Sequence, residues 1–146
     1  MPAQPVIDTR FERIEGIDVS ESLFSDHAAF IQATRQGVAG DVVKQAVGVL
    51  GHRELFVRLL ETTTGNLNRF YRRKALSQAQ SESLLDTLRV YSKAIAVFGD
   101  LATSIEWMSA VIPALGAQSP IDLCDTFEGR NLVQGALRKI EYGEFA

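Results

Sequence analysis

The segment from Ser77 to Gly99 constrains the fold of this chain more than any other. Ser77 and Gln80 have the S-x-x-Q spacing of a capping box, in which each side chain satisfies a backbone amide at a helix start. Behind it, Leu84, Leu88, Tyr91, Ile95 and Phe98 recur at 4-3-4-3 spacing, which sets them on one face of a helix stopped by Gly99. Burying such side chains contributes on the order of 1.5–3 kcal/mol each before entropy is counted. A stripe of that length has to be covered, by the chain's own core, by a second copy in a homodimer, or by both.

The remaining sequence is punctuated for shorter helices. Ser25 or Asp26 caps a helix through Gln36, with Gly37 as its stop. Val42, Val43, Ala46, Val47 and Leu50 follow at 3–4 spacing before Gly51, and Leu55, Phe56, Leu59 and Leu60 make a third helix. Thr62 to Thr64 offer caps for a fourth, running to about Lys74. Asp100 caps a helix carrying Leu101, Ile105, Met108 and Val111, which Pro113 terminates. Ser119-Pro120 sets a cap beside a helix-starting proline. After Thr126, a last helix carries Leu132, Val133, Ala136, Leu137 and Ile140 and ends at Gly143. No segment sustains period-2 alternation, so an all-α fold is expected.

A single cysteine, Cys124, excludes an internal disulfide framework and points to a reducing compartment. The first residues, Met1-Pro2-Ala3-Gln4-Pro5, lack the basic and apolar regions of a secretory signal. No apolar run approaches the ~20 residues of a membrane span. These features predict a cytoplasmic protein with no membrane contact.

The net charge of −3 conceals an asymmetry. Residues 52–74 hold six Lys/Arg against two Asp/Glu, whereas residues 1–51 hold four against seven and residues 75–146 five against nine. A local basic segment between acidic flanks is the footprint of an anion contact, or else a solvated helix face. Its helices, Arg53 to Leu60 and Thr63 or Thr64 to Lys74, have helix-turn-helix proportions. The second would carry Thr64, Asn66, Asn68 and Arg69 toward base edges and Arg72, Arg73 and Lys74 toward phosphates, with Leu67 and Phe70 inward. Operator DNA is the partner this arrangement suits. Glu61 and Thr62 stand where such a turn ordinarily has a glycine and an apolar residue, and Glu61 is unfavourable near a phosphate.

For catalysis the inventory is thin. His27 and His52 lie near predicted helix starts, and neither belongs to a metal-binding histidine pair. Each reads as a surface or capping residue, and Cys124, beside Leu123, as a small buried thiol. Gly48-Val49-Leu50-Gly51 lacks the lysine and the preceding strand of a phosphate loop. Asp122, Asp125 and Glu128 do not have calcium-loop spacing. No catalytic residue, metal or cofactor is expected, and the chain reads as a binding protein rather than an enzyme.

From Phe98 onward an ordered set of residues becomes distinctive: Phe98-Gly99-Asp100, Ala102, Trp107, Pro113-Ala114-Leu115-Gly116, Pro120, Asp122-Leu123, Thr126, Gly129, Val133, Leu137, Ile140 and Gly143. It resembles the toxin-binding domain of the Xre/MbcA/ParS antitoxin family, strongly in the last third and more loosely back to about residue 26. Each of these residues also has a plain scaffold role: Trp107 as a core anchor, Gly99 and Gly143 as helix stops, Gly129 as a point of tight approach. The resemblance implies a helix-turn-helix-like bundle followed by a small helical toxin-binding bundle, joined by a long amphipathic helix. The corresponding division is a loosely held arm over 1–24, a helix-turn-helix-like domain over 25–77, a linking and dimerising helix over 78–99, and a toxin-binding domain over 100–146.

The resemblance further implies a partner, a RES-domain toxin that consumes or transfers ADP-ribose from NAD. The C-terminal helix and tail would block its active site, through Arg138, Lys139, Glu141, Tyr142, Gly143, Glu144, Phe145 and Ala146. A carboxylate-bearing tail can pair with the arginines of a phosphate pocket, and Tyr142 and Phe145 can act as aromatic anchors. The resemblance also implies that the protein represses its own operon. A transcription regulator whose C-terminal domain only dimerises, and an adaptor that has abandoned DNA, are the competing readings.

Overall fold

The computed structural model describes residues 10–143, and over these the chain is all-α. In order it forms α1 (Ser22–Ser25), α2 (His27–Gln36), α3 (Gly40–Leu50), α4 (Arg53–Leu59), α5 (Leu67–Phe70), α6 (Gln78–Phe98), α7 (Leu101–Ser109), a 3₁₀ turn (Pro113–Leu115), α8 (Pro120–Leu123) and α9 (Phe127–Glu141). Among the described residues the extended pairing is one isolated antiparallel bridge, between Ile112 and Gln118.

The helices begin where short polar side chains can take over the orphan amides of a first turn. Asp26 accepts from Ala29 N–H, Asp100 from Thr103 N–H, Ser119 from Asp122 N–H and Thr126 from Gly129 N–H. The capping box of α6 is complete: Gln80 N–H donates to Ser77 Oγ, and Ser77 N–H to Gln80 Oε1, both at 3.1 Å. Each cap is worth about 0.5–2 kcal/mol.

α6 runs through the middle of the molecule, packed by α2, α4, α7 and α9. The stripe of Leu84, Leu88, Tyr91 and Ile95 is buried, and so are Leu85, Val90 and Ala94 on its other sides. Of the coverings the stripe allows, this enclosure shows the chain's own core, because the seam is filled by the chain's own elements. It also joins the two expected bundles, since one hydrophobic cluster extends from Ile14 to Leu137.

Of the arm expected over 1–24, residues 10–24 pack on the core; residues 1–9 lie outside the described residues. Ile14 and Ile17 are buried, Ser92 Oγ donates to Glu12 O at 2.6 Å, and Asp18 N–H donates to Gln45 Oε1 at 2.7 Å. The periodicity there is weak because the segment packs as an irregular strap rather than a helix.

The fourth helix, expected from Thr63 or Thr64 to Lys74, is reduced to the single turn of α5. Two causes act together. Three threonines, Gly65 and Asn66 are poor helix formers, and the Thr64 carbonyl is occupied by Arg53 Nη2 at 3.0 Å. Beyond Phe70 the backbone is tied to the neighbourhood of α3 instead: Gly40 N–H donates to Arg73 O at 2.9 Å and Leu76 N–H to Val38 O at 2.7 Å. The approach is so close that a Cβ on Gly40 would lie 1.9 Å from Phe70 O. Glu61, at the place where a glycine was missed, adopts φ 52 in the left-handed region.

Candidate functional site

The last helix presents two faces of opposite character. Its inner face is fixed to the rest of the chain at four levels. Near the start, Thr126 caps it and Gly129 lets it press on α8, where a Cβ would meet Leu123 O at 1.7 Å. One residue on, Arg130 Nε donates to Asp86 Oδ2 at 2.6 Å and Nη1 to Cys124 O at 2.9 Å. Val133 and Leu137 are wholly buried. At the end, Glu141 pairs with Lys93, whose side chain is 0% exposed in the centre of α6. Burial pushes the Cys124 thiol up to about 12, so at neutral pH it is a protonated, unreactive packing group.

The outer face is free of such bonds. At the 3.6-residue period Glu128, Asn131, Gly135, Arg138, Lys139 and Tyr142 fall on one side, with Phe127 and Leu132 at its edges. Phe127 is 61% exposed, Leu132 53% and Tyr142 48%. Leu132 was expected in the core and is corrected, since the inner face is already filled by Val133 and Leu137; Val111 is likewise exposed, because α7 ends at Ser109 before reaching it. Gly135 sits mid-helix on this outer face, and a Cβ there would meet nothing within 4 Å. A glycine at such a place costs roughly 0.5–1 kcal/mol relative to alanine. No contact within the described chain calls for it.

The segment 93–143, which contains both faces of α9, matches the family model of the antitoxin Xre/MbcA/ParS C-terminal toxin-binding domain. The Prs ADP-ribosylating antitoxin of Sphingobium sp. (strain YBL2) is 30% identical over 133 residues, covering 80% of this chain and 80% of its own. The chain belongs to the Xre/MbcA/ParS antitoxin family. Two residues of the distinctive set have structural roles here: Gly129 sits hard against α8, and Trp107, half-buried, packs on Phe98 with ring centroids 5.6 Å apart, beside the fully buried Met108.

Of the residues expected at the antitoxin's partner surface, Arg138, Lys139, Tyr142 and Gly143 are exposed together at the end of α9. Glu141 is not among them, because its carboxylate is turned inward onto Lys93. Glu144, Phe145 and Ala146 lie outside the described residues. Gly135 and Leu132 belong to the same surface without having been expected there. The available signal was a lone glycine inside a helix of otherwise ordinary helix formers.

Of the residues expected at DNA, Asn68, Arg69 and Arg72 line a shallow hollow with Gly65. Thr64 and Lys74 are exposed, and Asn66 is half-buried. Arg73 lies over the Phe70 ring at 4.1 Å, and Leu67 and Phe70 face inward as expected. Two other cations of the basic segment are engaged internally. Arg53 bonds Thr64 O and the Tyr71 hydroxyl, while Arg58 bonds Ile121 O and pairs with Asp125 at 3.6 Å.

His52 is more than a cap. Ser109 Oγ donates to Ile105 O at 3.0 Å and lies 2.8 Å from His52 Nε2, while the Tyr91 hydroxyl lies 2.6 Å from Nδ1. Ser109 having given its proton to Ile105, it accepts from Nε2–H, and Nδ1 accepts from Tyr91. Burial lowers the histidine pKa, opposed by the nearby Glu54 carboxylate, and burial raises that of Tyr91. The neutral ring thus links α4, α6 and α7. Among the described residues no group of His, Cys, Asp and Glu is arranged to hold a metal, and no helix is long and apolar enough to cross a membrane.

Proposed function

We propose that this antitoxin neutralises a RES-domain toxin that consumes NAD or transfers ADP-ribose, by laying the outer face of α9 on the toxin and directing the tail at 144–146 into its active site. The observation that carries the reading is the outer face itself. Exposed Phe127, Leu132 and Tyr142 flank Arg138 and Lys139 around a glycine that the fold does not require, all inside the segment matched to a toxin-binding domain. Aromatic and apolar anchors ringed by polar groups are what concentrates binding energy at a protein interface. The Sphingobium relative carries ADP-ribosylation in its name, which suits a toxin whose pocket binds phosphates and therefore attracts a carboxylate-bearing tail.

The test is co-expression with the cognate RES-domain toxin. Deletion of residues 142–146 and, separately, Leu132→Glu should each lower protection and weaken the purified complex. Full protection by both variants would remove α9 and its tail from the mechanism.

Autorepression is a second, narrower reading, supported by the hollow of Asn68, Arg69 and Arg72 beside exposed Lys74. With α5 only one turn long, the surface suits phosphate contacts better than base reading. Domain organisation follows the same reading: residues 25–77 serve operator contact and residues 100–146 toxin capture, around the shared α6.

A further inference from the structure

A second concave feature lies on the other edge of α9, away from the basic hollow. It is a cavity of about 260 Å³ between the N-terminal strap, the start of α2, α6 and α9. Its polar lining includes Arg89, Arg130, Arg138, His27, Asn131 and Gln134, with the rings of Phe11 and Phe24 on one wall. Asp86 is the acid there.

The charge balance of this lining is unusual for the molecule. Three guanidiniums face one carboxylate in a chain whose net charge is −3. Asp86 does not silence them; it aims them. Its Oδ1 receives Arg89 Nη2 at 2.6 Å and Nε at 3.2 Å, and its Oδ2 receives Arg130 Nε at 2.6 Å. Arg130 is further pinned by Cys124 O, and Arg89 by the Phe30 ring at 4.2 Å. Each guanidinium so held keeps one amine without an intramolecular bond among the described residues, Nη1 of Arg89 and Nη2 of Arg130. The side chains of Arg138, His27, Asn131 and Gln134 also make no hydrogen bond or ion pair with the described residues. The cavity therefore gathers fixed and adjustable donors, with positive charge in excess.

We propose that this cavity binds a small phosphate ester, its phosphate held by Arg89, Arg130, Arg138 and His27 and the rest of the molecule against Phe11. Phosphate is the fitting anion because it presents several acceptor oxygens to forked donors at once, which a single carboxylate does not. The site is separate from toxin capture in its use of α2 and α6, and shares only Asn131 and Arg138 with the outer face of α9.

The experiment is calorimetric titration of the full chain with inorganic phosphate, pyrophosphate, AMP and acetate, at a constant chloride of about 0.15 M so that general screening is fixed. Saturable binding of pyrophosphate or AMP is expected, weakened about tenfold by Arg138→Ala and by His27→Ala, with Arg69→Ala unchanged. His27→Ala lies off the outer face of α9, and its circular dichroism and unfolding midpoint check that it stays folded. No saturable binding by any phosphate, equal binding of acetate, or loss on Arg69→Ala with retention in the two cavity variants would each overturn the assignment.

Discussion

Lys93, fully enclosed at the middle of α6, forms its ion pair with Glu141 in the last turn of α9. A buried pair costs desolvation on both sides, so its net stabilisation is small, but removing one partner leaves the other charge exposed to the low-dielectric interior. Lys93→Met should therefore lower unfolding stability in urea by about 3 kcal/mol or more, and adding Glu141→Leu should restore most of the loss. A single variant that costs under about 1 kcal/mol would mean that water already reaches the pair.

The two glycines of α9 predict opposite results. Gly129→Ala drives a methyl into the Leu123 carbonyl and should destabilise by about 1–3 kcal/mol. Gly135→Ala fills open space and should stabilise by about 0.5–1 kcal/mol while weakening the toxin complex. Equal toxin affinity in wild type and Gly135→Ala would show that no partner backbone comes close at that position.

His52 gives stability a pH dependence. Its folded pKa is lowered from 6.5, so the unfolded chain binds the proton more readily. The contribution is therefore present above 6.5 and is lost as pH falls below it toward the folded value. Urea midpoints at pH 7.5 and 5.5 should differ for wild type, and the difference should shrink in His52→Gln. An unchanged difference assigns the effect elsewhere.

For operator DNA, the exposed cations of α5 and the turn after it are Arg69, Arg72, Arg73 and Lys74. Contact through these alone gives a log–log salt slope no steeper than about −4, which Arg69→Ala should reduce by roughly one unit. A steeper slope would require basic groups outside this segment.

What was legible in the sequence was local. Ser77 with Gln80, Asp100, Ser119 with Pro120, and Thr126 are caps whose bonds span three residues, so spacing alone fixes them. The α5 truncation was not legible, because it is set by the Gly40 and Val38 backbone lying alongside Arg73 and Leu76. Nor was the burial of α6 on its other sides from Leu84 to Ala96, where Leu85 and Val90 are enclosed as completely as the stripe. The outer face of α9 was read in part. Arg138, Lys139 and Tyr142 were placed on it, Leu132 was assigned to the core, and Glu141 was taken for a contact when it is an anchor. Asp86, with partners on two helices, shows why: Arg130 lies 44 residues away, beyond any periodic pattern.

Lys93 also meets the strap at the other end of the chain, its Nζ lying 3.5 Å from Arg10 O. The earliest and latest described segments thus close over one side chain that is already in place when α6 forms. During synthesis the α9 side of α6 stays uncovered until α9 has left the ribosome. A copy interrupted before Val133 lacks the lid over that side of the helix and the Glu141 carboxylate, and should be a substrate for proteolysis rather than a half-working inhibitor. Completion of α9, the helix proposed to meet the toxin, and completion of the fold are the same event.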